Sequence, residues 1–497
     1  MNEDNKKRCS AWRFREIFRL PDFPCGIAAI ILMLFSEAVL MMFLGLLNIL
    51  PVKFMVVIVL MIVAVDVGTL MLFRYRRRSR IMHIIGLVMA AAVILISAFS
   101  SFYVYRTYDT FSKVSGHLVQ SEKFYVVVLK DGSFDTVDDI SGKSVYVSKA
   151  ESRTYKEARG KLVTRADVRY KESPDLISAG NKLVDSKGGR HDNILFVSKS
   201  NYKMICEEID GFAKNTNVIY RTSVEVKSDD SSKKVNVTED SYNIYISGID
   251  VYGDIDQVSR SDVNMIVTVN PKTRTILLTS IPRDTYLPLH TYGAMDKLTH
   301  SGIYGIDETV STVEDWLGVE MNYYVRINFS MLVKMVDAIG GIDVNSKYAF
   351  KSAVSDYRYS KGVNHLDGKA ALYFARERKS FKDEDEQRIR NQQLVLKAMI
   401  DKISGSTALL TGYTDILDAV KGKMQTDLSD RDIAALVKMQ LADPDKWDIK
   451  TIALTGEDSY EYTYSMGQRE LFVSIPDEAK AEKAKKAINM VMYPVED

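Results

Sequence analysis

Residues 24–104 set the tightest limit on what this chain can become. Three apolar runs, roughly Pro24–Leu50, Met55–Phe73 and Met82–Val104, follow one another almost end to end. As helices, each is long enough to cross about 30 Å of hydrocarbon at a rise of about 1.5 Å per residue. A cleaved signal peptide would instead offer one short apolar core and a small-residue cleavage site. The spacing therefore predicts three transmembrane helices within 24–104, behind a short N-terminal segment, 1–23.

The flanks orient the spans. Lys6, Lys7, Arg8, Arg13, Arg15 and Arg19 precede the first run, and Arg74, Arg76, Arg77, Arg78 and Arg80 separate the second from the third. The turn between the first two offers only Lys53. By the positive-inside rule the N-terminus is cytoplasmic and everything after about residue 104 lies outside. Two acids, Glu37 and Asp66, fall within the spans. Intramembrane acids read as functional by default, and a helix–helix hydrogen bond is the plainer alternative.

The rest of the chain is of a different kind. Lysine plus arginine nearly cancels aspartate plus glutamate, 66 against 65, so overall charge does not point to a nucleic-acid partner. Cys9, Cys25 and Cys206 have no metal-ligand spacing and form no disulfide framework, and the six histidines are scattered. Zinc and histidine-triad chemistry are thus poorly supported.

From Lys123 the pattern becomes α/β. The stretch 124–130 reads as a strand, 136–143 as a short helix stopped by glycine, and 144–149 as a second strand. Helical stretches near Thr154–Leu162 and Pro174–Leu183 precede a strand at 194–198. Residues 121–226 form a small accessory domain, whose opening looks like that of a solute-binding-protein lobe. No acid–base or metal constellation is visible in it, and a spacer or partner-binding role is the plain reading. The Ser/Asp/Lys-rich stretch 227–241 is a linker.

Residues 242–497 alternate strand and helix, which implies a mixed sheet with helices on both faces. The strand 242–250 ends in Gly248 and Asp250, and "NMIVTVNPKTRTILLTSI" reads as a hairpin with Pro271 at turn position i+1. Polar residues collect at element ends: Asp250, then Arg260-Ser261-Asp262, then Arg283-Asp284, then Arg376 and Arg378 closing a helix, then Asp385, Arg388 and Gln392 opening another. At about 100° per residue, 385, 388 and 392 lie within about 60° of one another on a helix. The apolar stripe Ile389, Leu396, Met399, Ile400 and Ile403 lies on the same side. The polar residues therefore point where the core should be, and a ligand or buried partners must satisfy them. Several arginines around a helix N-terminus fit a phosphate. Asp250 and Asp262 are suited to Mg²⁺, or Mn²⁺ in its place, which binds through one or two carboxylates plus substrate phosphate oxygens. The competing reading is an Arg/Asp network that only locks the fold.

The motifs "SGID", "SRSDVNMIVTVNPKTRTILLTSIPRDTYLPL", "DKLTHSGIYG", "VDAIGGIDV", "LDGKAALYFARER" and "DEDEQRIRNQQLVLKAMI" occur in this order from Tyr242 onward. This region closely resembles the LytR-CpsA-Psr family of cell-wall glycopolymer ligases, and the preceding domain resembles its capsule-associated branch. The resemblance implies a bacterial membrane protein with extracellular C-terminal domains and a hydrophobic pocket for a polyprenyl chain. The implied reaction is Mg²⁺-dependent transfer of a phosphoglycopolymer, capsular or teichoic-acid-like, from undecaprenyl pyrophosphate to peptidoglycan. Carried over by position, Asp250 and Asp262 would hold the metal. Arg260, Arg283, Arg376, Arg378 and Arg388 would grip the pyrophosphate, with Gln392 completing the pocket. Asp385 would orient arginines or take the acceptor proton, Asp284 would brace the site, and Lys297 would be a second phosphate contact.

The chain departs from the family pattern at Val251 and Tyr252, where many members carry arginine, and at Glu384-Asp385-Glu386, where many read Gly-Asp. Glu386 points about 100° from Asp385 on the helical wheel, and both extra acids, Glu384 and Glu386, are expected outside the pocket. Two further functions fit the same residues: a non-catalytic sensor of polyprenyl-phosphate intermediates, and a polyprenyl-pyrophosphate pyrophosphatase. The roughly twenty residues before the first span leave no room for a DNA-binding domain there.

Overall fold

The computed structural model describes residues 24–74, 80–114, 119–148, 153–173, 175–185, 193–227, 233–249, 255, 257–405, 413–467 and 469–494. Asp250, Val251 and Tyr252, the N-terminal segment, Arg76, Arg77 and Arg78, and residues 228–232 of the linker lie outside them.

Two compact units emerge. The first contains the helices Pro24–Leu47, Val52–Arg74 and Arg80–Val114. All three are long and apolar enough to cross a membrane, and large side chains such as Leu60 and Ile96 project outward, as lipid-facing residues would. The third helix runs past Val104, where its apolar run ends. "YRTYDTFSKV" has no glycine or proline to break it, and the Thr107 and Thr110 hydroxyls bond back one turn at 2.9 Å each. Glu37 is buried against Asp66, the arrangement expected of a hydrogen bond between spans. The stretch Asp430–Pro444 also groups with this unit rather than with the rest of 242–497. Lys438 Nζ donates to Asn48 Oδ1 at 2.9 Å, and Lys53 Nζ to the Ala442 carbonyl at 2.8 Å.

The second unit holds both α/β regions. The accessory region is a five-stranded sheet, in the order Arg169–Ser173, Ser144–Ser148, Ile194–Ser198, Val119–Leu129, Thr216–Lys227. One face packs on Tyr155, Ala158 and Leu162, the other on Leu183, Met204, Ile205 and Phe212. Sequence periodicity does not reveal the strand Arg169–Ser173, which is mostly polar and lies at the sheet edge. It also misses the helix Lys199–Glu208 that directly follows a strand.

The larger sheet has six strands, in the order Met424–Thr426, Tyr323–Asn328, Tyr242–Ile249, Val263–Asn270, Thr275–Ile281, Asp448–Ala453. Tyr323–Asn328 runs parallel to Tyr242–Ile249, and Asp448–Ala453 parallel to Thr275–Ile281; the remaining pairs are antiparallel. The central strands are buried almost without alternation, because helices cover both sides. Ile306–Leu317 and Glu478–Met492 build one core with Tyr245 and Ile266. Phe329–Ala338, Gly368–Arg376 and Glu384–Ser404 build the other. Arg376 ends its helix, and Arg378 lies beyond it. Gly248 pairs directly opposite Val263, and a Cβ there would sit 2.7 Å from the Val263 Cβ.

Candidate functional site: a two-lobed cleft around Asp262 and Arg283

Arg283 and Asp284 occupy the two central positions of a turn. The Thr285 N–H and Oγ1 both donate to the Pro282 carbonyl, at 3.2 and 2.7 Å. Proline here opens the turn and keeps the strand from continuing. The segment Lys297–Ser301 then fixes two site elements at once. The Thr299 N–H donates to the Arg283 carbonyl at 2.8 Å, and its carbonyl accepts from the Ser261 N–H at 3.1 Å. Close packing of this segment requires Gly302, since a Cβ there would lie 2.7 Å from the Ser259 carbonyl oxygen and 2.8 Å from the Ser261 nitrogen. Backbone cannot yield as a side chain can, so Gly302→Ala should cost about 1–3 kcal/mol. Chemical denaturation checks this, and an unchanged midpoint would remove the role assigned to Gly302.

The side chains form a continuous ionic network. Arg283 Nη1 donates to Asp262 Oδ1 at 3.1 Å, which also accepts from Thr299 Oγ1 at 3.2 Å. Asp284 is braced between Arg283 Nε at 3.4 Å and Lys297 Nζ at 3.1 Å. Burial works against the Asp284 carboxylate, but Arg283 and Lys297 outweigh it and hold its pKa below the usual range. Burial likewise opposes the Arg283 charge, and the Asp262 and Asp284 carboxylates more than compensate. Arg388 behaves differently. Its pKa is lowered, first by burial and next by the like charge of Arg283. The Arg388 Nε–H is buried without a hydrogen-bond acceptor, and Arg283 Nε has only its ion-pair contact with Asp284. Two crowded guanidiniums, one with an unused donor, are the condition that a bound anion relieves.

Asp385 lies between Arg388 Nη2 at 3.0 Å and Arg378 Nη1 at 3.6 Å. Glu386 turns away and pairs with Arg390 at 2.7 Å. The helix carrying them buries more than one stripe: Gln387, Asn391 and Gln393 are buried along with Ile389, Val395 and Met399. Leu396, Ile400 and Ile403 are only partly covered. The one-sided expectation fails because the helix contacts both a neighbouring helix and sheet strands. Asn391 Nδ2 donates to the Phe374 carbonyl at 3.1 Å, and Gln393 Nε2 to that of Ile452 at 2.7 Å.

Two hollows meet at Asp262 and Arg283, which line both. The first encloses about 770 Å³ including its mouth, and Arg376, Arg378, Arg388 and Gln392 add to its wall beside Val263, Phe329 and Val354. The second encloses about 540 Å³ and contains Arg260, Asp284, Lys297 and Thr299. The structure thus gathers Arg283, Arg376, Arg378, Arg388, Gln392 and Asp262 around one hollow. Arg260 and Lys297 lie at the other, and Asp385 stands behind the arginines. Asp250 is outside the described residues.

The model of the LytR_cpsA_psr family matches residues 211–486. The chain belongs to the LytR-CpsA-Psr family. Its curated relatives include the polyisoprenyl-teichoic acid–peptidoglycan teichoic acid transferase TagU of Bacillus anthracis, 37% identical over 188 residues, or 38% of this chain and 60% of that protein. TagU of Bacillus subtilis (strain 168) is 37% identical over 205 residues, 41% of this chain and 65% of that one. The chain therefore spans about 60% of the length of the first of these relatives. Among solved structures, that of B. subtilis TagV aligns at 30% identity with a TM-score of 0.43, covering 52% of this chain and 99% of that one.

Two residues of this family member's cleft escape sequence reasoning. Glu377 is buried, and its carboxylate accepts the backbone N–H groups of Ala353 at 2.7 Å and of Arg378 and Ser380 at 3.1 Å each. Burial opposes its charge, yet these donors hold its pKa low. It ties two loops together between Arg376 and Arg378, and its position inside "RER" was the available signal. Phe329 carries the Arg376 guanidinium 4.4 Å from its ring centroid, a contact with no local sequence signature.

Proposed function

We propose that this protein is an extracytoplasmic phosphotransferase that moves a phosphoglycopolymer from a polyprenyl-pyrophosphate carrier to peptidoglycan. The observation that carries the reading is the first hollow. Among its described lining residues, five cationic side chains face two carboxylates, Asp262 and Glu377. Phosphate oxygens match guanidinium forks bidentately, and the apolar wall formed by Val263, Phe329 and Val354 suits the start of a lipid chain. An acceptor hydroxyl attacks the glycan-bearing phosphorus and the phosphoanhydride bond to the lipid phosphate breaks. Polyprenyl phosphate leaves, and solvent takes up the hydroxyl proton. Positioning and charge stabilisation supply most of the catalysis of such a step.

The donor chemistry at Asp262 suits Mg²⁺ or Mn²⁺, since a largely buried carboxylate beside a phosphate hollow needs few protein partners. Among the described residues no group of three His, Cys, Asp or Glu could hold a metal by itself, so substrate oxygens would complete the shell. Asp262 and Asp250 would hold the ion, which when bound neutralises charge on the phosphates. The relative TagU, a polyisoprenyl-teichoic acid–peptidoglycan teichoic acid transferase, supports the same substrate class; undecaprenyl is the carrier and a teichoic-acid-like or capsular polymer the cargo. Outward orientation is supported by the arginines at 74–80.

The test incubates the full chain in detergent with a polyprenyl-pyrophosphate glycan, Mg²⁺ and peptidoglycan fragments. A polymer–peptidoglycan product lost on chelation is expected. Polyprenyl phosphate and free glycan phosphate formed without that product would replace transfer with hydrolysis, and the absence of both would leave a binding protein.

A further inference from the structure

One wall of the second hollow lies outside residues 211–486, the part of the chain that the family model matches. The accessory helix Lys199–Glu208 contributes Met204, Glu207 and Glu208 to it. That helix is firmly fastened. The Arg260 guanidinium grips the Glu207 carboxylate with both Nη atoms, at 2.7 and 2.9 Å. Arg469 holds Glu208 at 2.7 Å, and Ser200 Oγ donates to the Val258 carbonyl at 2.9 Å. Lys199 also bonds to Gln257. Beneath these polar ties, Met204 and Ile205 share one apolar cluster with Ile303, Met466 and Leu471.

Its charge differs from that of the first hollow. Each cation is already engaged: Arg260 by Glu207, Arg283 by Asp262 and Lys297 by Asp284. Among the described lining residues no positive surplus remains for a second phosphate. What the hollow offers is carboxylate oxygens beside arginine forks, together with the Thr299 hydroxyl and the His300 ring. That donor and acceptor mixture hydrogen-bonds well to sugar hydroxyls and poorly to an anion. Because Asp262 and Arg283 line both hollows, a group seated here adjoins the phosphate.

We propose that the second hollow is a glycan subsite, built jointly by the accessory domain and the larger sheet, that takes an uncharged, hydroxyl-bearing sugar segment. The inference rests on the transferase reading for what lies in the first hollow. Glu207 is its specificity-determining residue, and Arg260 acts by positioning Glu207. The sugar has two possible sources, the first residues of the donor glycan or the peptidoglycan acceptor.

The test compares full-length protein with Glu207→Gln and Glu208→Gln, which preserve shape and remove charge. Steady-state transfer is measured with donor and acceptor varied in turn. Binding of a sugar-free polyprenyl pyrophosphate is measured separately, as is saturation-transfer NMR with a soluble peptidoglycan tetrasaccharide and with the soluble donor oligosaccharide. A roughly tenfold rise in KM for one sugar-bearing substrate, with sugar-free lipid binding unchanged, supports the subsite and names its source. Tighter sugar-free lipid binding in Glu207→Gln would overturn it, since Glu207 would then merely compete with phosphate for Arg260. Unchanged KM values and NMR signals in both variants would overturn it as well. Wild-type protein that binds an oligosaccharide in a Glu207-dependent way without any transfer supports the subsite while overturning the transferase reading.

Discussion

Replacing Arg283 with alanine is expected to lower transfer by about 10²- to 10³-fold, the range for loss of one preorganised charge-stabilising donor. Arg283 is the cationic side chain common to both hollows among the described residues. Its loss also leaves Asp262 without its guanidinium at 3.1 Å and moves Asp284 onto Lys297 alone. Some destabilisation therefore accompanies the variant, and Arg283→Lys separates the two effects. Lysine restores a charge near both carboxylates but is a point donor, unable to span two acceptors in a plane. Stability close to wild type with transfer still down at least tenfold is the expected lysine result. Measured kcat/KM for both variants, with thermal melts beside them, decides the matter. Activity of Arg283→Ala within threefold of wild type would remove Arg283 from the chemistry.

The second large effect is on stability and lies in the accessory domain. Glu122 is 7% exposed, and its side chain accepts a hydrogen bond from Thr154. Burial pushes its pKa up to about 7, against a weaker lowering by Thr154. In the unfolded chain the same group titrates near 4.5. Between these values the native state holds a proton that the unfolded state has released, so stability falls as pH rises. The contribution is complete below about pH 4.5 and is gone above about pH 7, a difference of about 3 kcal/mol at about 1.4 kcal/mol per pKa unit. Glu122→Gln keeps the neutral form at every pH and should flatten the dependence. Pulse proteolysis at pH 5 and pH 7.5, read at Val119–Leu129, tests this. A wild-type slope that survives in Glu122→Gln would rule Glu122 out as its cause.

The stability effect and the catalytic one were not equally legible. "LLTSIPRDTYLPL" announces a strand, a stop and two charges, and the hairpin before it carries Pro271 in its turn, so Arg283 stands out at once. Glu122 does not. It lies in "QSEKFYVVV", where a glutamate near the start of a strand reads as solvated; only the packing around it makes it buried. The helix at 384–404 is an intermediate case. Its phase groups Asp385, Arg388 and Gln392, since residue spacing alone fixes angles around an axis. The number of elements that cover it is not a property of its own sequence, and so the buried Gln387, Asn391 and Gln393 went unforeseen.

By itself the sequence determined the three membrane-length apolar helices, the strand–turn positions of Arg283 and Asp284, and the motif order that marks the family. These depend on local periodicity, turn chemistry and composition, which act over a few residues. Tertiary structure alone decided the pairings. Arg260 reaches Glu207, 53 positions earlier in the chain, and a five-residue segment at 297–301 fixes both Ser261 and Arg283. Asp385 ends up behind the arginines rather than among the residues lining the hollows. A side chain's direction follows from its own element, but its partner follows from how distant elements pack, and burial then sets the strength of each charge.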